Sequence, residues 1–326
     1  KYNSGLSSNE SLFTIEIVDA SPTSTSLTAS FSLDVNKANV AINNIEDVDV
    51  WSVSAPVTLV TDNGNPKYLA PQVRVEGGSW VTPTYTSSIS GNTATFNMTG
   101  LAPGKNYQVR GTYNNNISEE KSMVTETQVQ MGNSGFEDFY YTATEHTVST
   151  IFVKTTGTQY LFYPYADGEQ DIWWNTNNPE TAPTPSEAGY FYMKCFPAVT
   201  YTVNGTYNNS AKSAEIRSIA TKNGNSEWVT EGKRAGRLFC DKHSFPSRPT
   251  KLQYQYKYDP YNNDTYKVVV ELRNGDSVIA TKEVTGGKAD DWTTGEIVLD
   301  YSELRKKATS ISVTFFSSVN GEPDTR

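Results

Sequence analysis

Short runs that alternate apolar and polar residues recur along the chain, with turn formers between them and almost no stretch of helical period. That is the pattern of an all-β protein built from sandwiches. LFTIEIVDA (12–20) and SLTASFSLD (26–34) alternate in this way. YKVVVELR (266–273) meets SVIATKEV (277–284) across Asn274-Gly275-Asp276, where Asn-Gly supplies the positive φ of a tight hairpin. On the first of these strands Tyr266, Val268, Val270 and Leu272 share one face, and Val269 on the other keeps that face from being fully wet. Gly91-Asn92 and Asn204-Gly205 mark further turns. One helix is predicted, over DYSELRKKA (300–308), with Asp300 or Ser302 as cap and Tyr301, Leu304 and Ala308 on one side. QVQMGNS, near 128–134, loses the alternation and ends in turn formers, which places a domain boundary there and predicts domains over 1–130 and 131–326.

The 326 residues suit two domains, each long enough to bury its own core. Aromatics make up 12% of the chain, including 20 Tyr, so rings with a polar handle carry much of the apolar area. A net charge of −9 repels phosphate backbones and argues against nucleic acid as a partner. No apolar run approaches the roughly 20 residues of a transmembrane helix. Lys1-Tyr2-Asn3-Ser4 carries no signal-peptide pattern, which fits a chain that begins after a processing point. The two cysteines, Cys195 and Cys240, match no metal or redox motif. They are either buried thiols or one disulfide.

LAPGKNYQVR (101–110) resembles the fibronectin type III signature. The resemblance implies that Leu101 seals a core, Pro103-Gly104 turns the chain, and Tyr107 buries its ring while its hydroxyl bonds backward to the backbone. Phe31 stands where that family usually has tryptophan, and Trp51 and Trp80 are the candidates to fill the core in its place. The first domain is therefore expected to be a fibronectin- or immunoglobulin-like sandwich, a spacer or binding module.

Farther on come GNSGFE (132–137), YLFYPYADGEQDIWWNTNN, RAGRLFCDK, PSRPTKLQYQYKYDP and DDWTTGEIVLDYSEL, leading to ISVTFFSS. This order resembles the carbohydrate metabolism domain family, jelly-roll domains of secreted or surface-attached proteins from Bacteroides-type bacteria. The resemblance implies a jelly roll over about 131–326, a glycan or oligosaccharide as partner, and a location outside the cell or on its outer surface, with a lipid anchor upstream of Lys1 as one mode of attachment. The family pattern has one more strand after ISVTFFSS, where this chain reads NGEPDTR. A missing strand would leave an unpaired edge.

DIWWNTNNPE (171–180) sets two indoles among amides. A pyranose presents a flat patch of C–H groups to an aromatic face, and its hydroxyls need donors and acceptors at the rim. Trp173 and Trp174 with Asn175, Asn177 and Asn178 meet both needs, and at least one of the indoles is expected at the surface. The alternative is that both pack in the core. Tyr160, Tyr163 and Tyr165 alternate just upstream, and Tyr254, Tyr256 and Tyr258 alternate later. Arg248 is a candidate fork for a sugar carboxylate. The carboxylates Glu137, Asp167, Glu169, Asp171, Asp290 and Asp291 are candidates for the pair that glycoside hydrolysis needs. His146 and His243 neighbour no nucleophile motif. Glu137 is also the candidate ligand of a structural calcium, and no other cofactor is indicated. Glycan binding without catalysis is the leading expectation. The alternatives are a glycoside hydrolase and a structural or adhesive protein without a sugar site.

Overall fold

The computed structural model describes residues 38–149, 151–182, 194–195, 197–220 and 233–319. The protein is all-β, with antiparallel sheets packed as sandwiches. The single α-helix among the described residues is one turn, Asn178–Thr181. No helix among them is long and apolar enough to cross a membrane. The chain divides between Gln128 and Val129 into two compact units. The runs 12–20 and 26–34, and Phe31, lie outside the described residues.

In the N-terminal unit β1 (Ser54–Val60) pairs with β4 (Thr93–Thr99), which also pairs with β3 (Thr84–Ser90). The second sheet pairs β2 (Leu69–Val75) and β6 (Lys121–Val124) with β5 (Asn106–Tyr113). The alternation seen in the sequence is the burial pattern. Ala55, Val57 and Leu59 on β1 and Ala94, Phe96 and Met98 on β4 bury against Leu69, Val73, Val109 and Tyr113 of the other sheet. Gly104 turns the chain at φ +63°, Leu101 is buried, and the Ala102 N–H donates to the Tyr107 hydroxyl at 2.9 Å. That is the backward bond expected of Tyr107.

Trp51 and Trp80 do not fill this core. Both are half-buried and stand outside the core cluster. Trp80 lies instead between two guanidinium groups on the outer face of β2 and β5, with Arg110 at 4.1 Å and Arg74 at 4.6 Å from its ring centroid. Phe96, Met98 and Tyr113 supply the bulk that the indoles were expected to give.

In the C-terminal unit β7 (Tyr140–Ser149) and β8 (Lys154–Tyr163) form a ten-residue hairpin. A five-stranded sheet runs in the order β9 (Asn175–Thr176), β10 (Arg237–Ser244), β15 (Ser310–Phe316), β12 (Tyr266–Asn274) and β13 (Ser277–Gly286). A two-stranded ribbon, β11 (Lys251–Tyr258) with β14 (Ala289–Val298), adds its own buried face to the same core. The hairpin between β12 and β13 turns on Gly275 at φ +57°, and Val268, Val270 and Leu272 are fully buried. β15 is paired on both sides, by β10 and β12, so the last described strand lies inside its sheet.

The helix expected over 300–308 does not form. Tyr301 bridges to Ala280, its hydroxyl donates to the Pro249 carbonyl at 2.7 Å, and the Ser302 N–H donates to the Ile279 carbonyl. Those bonds hold the start of the segment extended, and Leu304 is left exposed. Tertiary hydrogen bonds have overridden a short, weakly nucleated helical pattern.

Candidate functional site

Trp173 and Trp174 are both core residues, which corrects the surface role expected for them. They are 8% and 3% exposed. The Trp174 Nε1–H donates to the Gly132 carbonyl at 2.8 Å, and the ring packs between Phe136 and Phe315. Trp173 stacks on His243 at 3.7 Å between centroids, edge-on to Phe245. Asp171 clamps that stack: one carboxylate oxygen accepts from Trp173 Nε1 at 3.0 Å, and the other lies 2.9 Å from His243 Nε2. The flanking amides are spent on backbone. Asn177 is buried and donates to the Ala235 carbonyl while accepting from Arg237 N. Asn178 ties Phe162 to Val199. The run is polar because a close-packed junction of loops leaves backbone groups that buried amides must satisfy. Asn175 is exposed, across from Phe239.

Arg248 is also removed as a ligand fork. It is 2% exposed and donates to the Leu304 carbonyl, pinning the loop that failed to become a helix. Glu137 accepts from the Lys212 N–H, and no group of three or more His, Cys, Asp or Glu side chains with metal-binding geometry occurs among the described residues. Of the other carboxylates, Glu169 accepts the backbone N–H of Gln170 and Asp171, and Asp290 pairs with Lys288. Cys240 is a free buried thiol, with burial pushing it up to about 11. The Cys195 side chain lies outside the described residues.

The tyrosines do gather. Tyr163 stacks on Tyr140 at 4.6 Å, with Tyr165 against both rings, and all three are half-buried. Burial and the Tyr140 bond raise the Tyr165 hydroxyl above its usual range. A second set lines the inner face of the ribbon. Tyr254, Tyr256 and Tyr258 of β11 surround Tyr266 at centroid distances of 4.7–6.3 Å. The Tyr254 and Tyr266 hydroxyls are 3.2 Å apart, Tyr256 also bonds to Tyr266, and Tyr258 donates to the Ser317 carbonyl. Burial is the main cause that raises Tyr254, Tyr258 (to about 12) and Tyr266. Tyr254 and Tyr266 lie over their cross-strand partners Gly295 and Gly286, where a β-carbon would overlap the ring. These hydroxyls satisfy one another at the wet end of a core.

The outer face of the same ribbon is different, and sequence reasoning missed it. Lys251, Gln253, Gln255 and Lys257 of β11 lie along it, with Thr294, Glu296 and Val298 of β14. Successive side chains on one face are about 6.8 Å apart. Gln255 and Thr294 exchange hydrogen bonds, and Glu296 takes Lys251 and Gln253, which holds its carboxyl below the usual range. At the end of the ladder Trp292 meets Tyr207 edge to face at 5.7 Å, with Lys257 at 5.6 Å from the indole. Trp292 Nε1 donates to the Gly205 carbonyl, fixing the ring, and Tyr207 is 42% exposed. The one signal in the sequence was Trp292 in phase with Thr294 and Glu296, opposite in parity to the buried Gly295 and Ile297.

No protein-family model matches the chain, and no curated protein is significantly similar to it.

Proposed function

We propose that the C-terminal unit binds a glycan on the outer face of the β11–β14 ribbon. The observation that carries this reading is the ring pair Trp292 and Tyr207 at the end of a solvent-facing ladder of amide, hydroxyl, ammonium and carboxylate groups. A fixed indole offers a face for sugar C–H groups, and the ladder offers both donors and acceptors for hydroxyls. The hydrogen bonds now made within the ladder are exposed, so exchanging them for sugar hydroxyls costs little. The resemblance to the carbohydrate metabolism domain family supports the same ligand class and a location on or outside the cell surface. The N-terminal unit is read as a fibronectin type III-like spacer, supported by the Tyr107 corner.

The test is a glycan array on the full chain, followed by titration of any hit with Trp292→Ala. Retention of at least one glycan by the wild type, and a tenfold or greater loss in the variant with unchanged melting, supports the assignment. A wild type that retains nothing, or a variant that binds equally, ends it.

A further inference from the structure

Among the described residues, the most exposed run of apolar side chains lies at the tip of the β7–β8 hairpin. Between the last paired residues of the β7–β8 hairpin, Ser149 and Lys154, three consecutive apolar residues stand in solvent. Ile151 is 93% exposed, Phe152 92% and Val153 51%. Isolated exposed apolar residues need no explanation, but three in a row at the tip of a hairpin do.

We propose that this tip is a lipid-inserting finger. Its shape is the first reason. Side chains more than nine-tenths exposed form a convex knob, which a fluid acyl layer accommodates without a matching pocket. Area is the second. At about 150–200 Å² per residue the trio offers on the order of 400 Å², half of the roughly 800 Å² each partner gives a standard protein interface. That is small for a stable second copy and sufficient for shallow insertion, about 5–10 Å into the headgroup boundary. Charge is the third. The chain carries −9, yet residues 140–163 contain one acid, Glu145, and one base, Lys154. The arm is thus a locally neutral segment of an acidic protein and adds no net repulsion of its own at an anionic or zwitterionic surface. Below the tip come Ser149, Lys154, Thr155 and Thr156, a collar of hydroxyls and one ammonium at headgroup height.

The experiment is co-sedimentation of the full chain with phosphatidylcholine vesicles over a range of lipid concentration. It compares the wild type, the double variant Ile151→Asp/Phe152→Asp, and Ile89→Asp as an exposed apolar control outside the arm. The trio is exposed, so the double variant keeps its fold, which circular dichroism checks. The expected result is half-binding at millimolar lipid for wild type and control, and a tenfold or greater rise in the lipid required by the double variant. Wild type that stays in the supernatant, or a double variant that binds equally, overturns the proposal. So does sedimentation equilibrium showing a wild-type dimer that the double variant splits without any lipid binding, since the finger would then belong to a second copy.

Discussion

Trp174→Ala tests whether the paired tryptophans hold the C-terminal core. The ring is 3% exposed, and an aromatic side chain buries about 150–250 Å². At about 25 cal/mol per Å² the lost transfer energy is at most roughly 4–6 kcal/mol. Residual burial in the unfolded chain removes about 10–40% of that. The lost bond to the Gly132 carbonyl adds about 1 kcal/mol. The net expectation, allowing for relaxation of Phe136 and Phe315 into the space, is a cost of about 3–5 kcal/mol. In a unit of this size that lowers the melting temperature by about 6–20 °C. Trp174→Phe keeps most of the ring and loses the N–H, so about 1–2 kcal/mol is expected. Trp292→Ala, on the outer ribbon face, is expected to cost under about 1 kcal/mol. The assay is urea unfolding followed by circular dichroism, with the transition of each unit fitted separately. A Trp174→Ala midpoint within 1 kcal/mol of wild type, or a Trp292→Ala cost equal to it, would falsify the division into core and surface indoles.

Three further outcomes are expected. Tyr107→Phe removes one bond to Ala102 N and keeps the ring, so it costs about 0.5–1.5 kcal/mol in the N-terminal unit; an unchanged denaturation midpoint contradicts the corner. Gly295→Ala places a methyl against Tyr254 and is expected to destabilise the C-terminal unit by about 1–3 kcal/mol, while the double variant with Tyr254→Ala shows a positive coupling that a loop-entropy effect cannot give. Tyr258 is raised from 10.0 to about 12, so the folded state holds its proton longer than the unfolded state. Its contribution is complete below pH 10 and is lost as pH rises through about 12. Stability of the C-terminal unit is therefore expected to fall across that window, and less steeply in Tyr258→Phe; equal slopes count against the burial argument.

The β class, the hairpin at Gly275 and the Tyr107 corner were legible in the sequence because each rests on local chemistry. Period-two alternation, a glycine at positive φ and a short backward hydrogen bond are properties of neighbours along the chain. The 300–308 helix failed because Tyr301, Ser302 and the Leu304 carbonyl found partners at Ala280, Ile279, Pro249 and Arg248, and no local propensity registers those. The same cause governs the site. Trp173, Trp174, Asn177 and Asn178 have the composition of a sugar platform, but identical residues serve a polar, close-packed junction in the core. Whether an indole faces solvent depends on His243 and Gly132 closing over it from distant segments, with the neighbouring Asp171 joining His243 to Trp173. Trp292 looked unremarkable beside that pair, yet strand pairing with β11 and the bond to Gly205 leave it at the surface. Alternation determines which residues of a strand share a face. Only the packing of sheets and loops decides which of the two faces meets water.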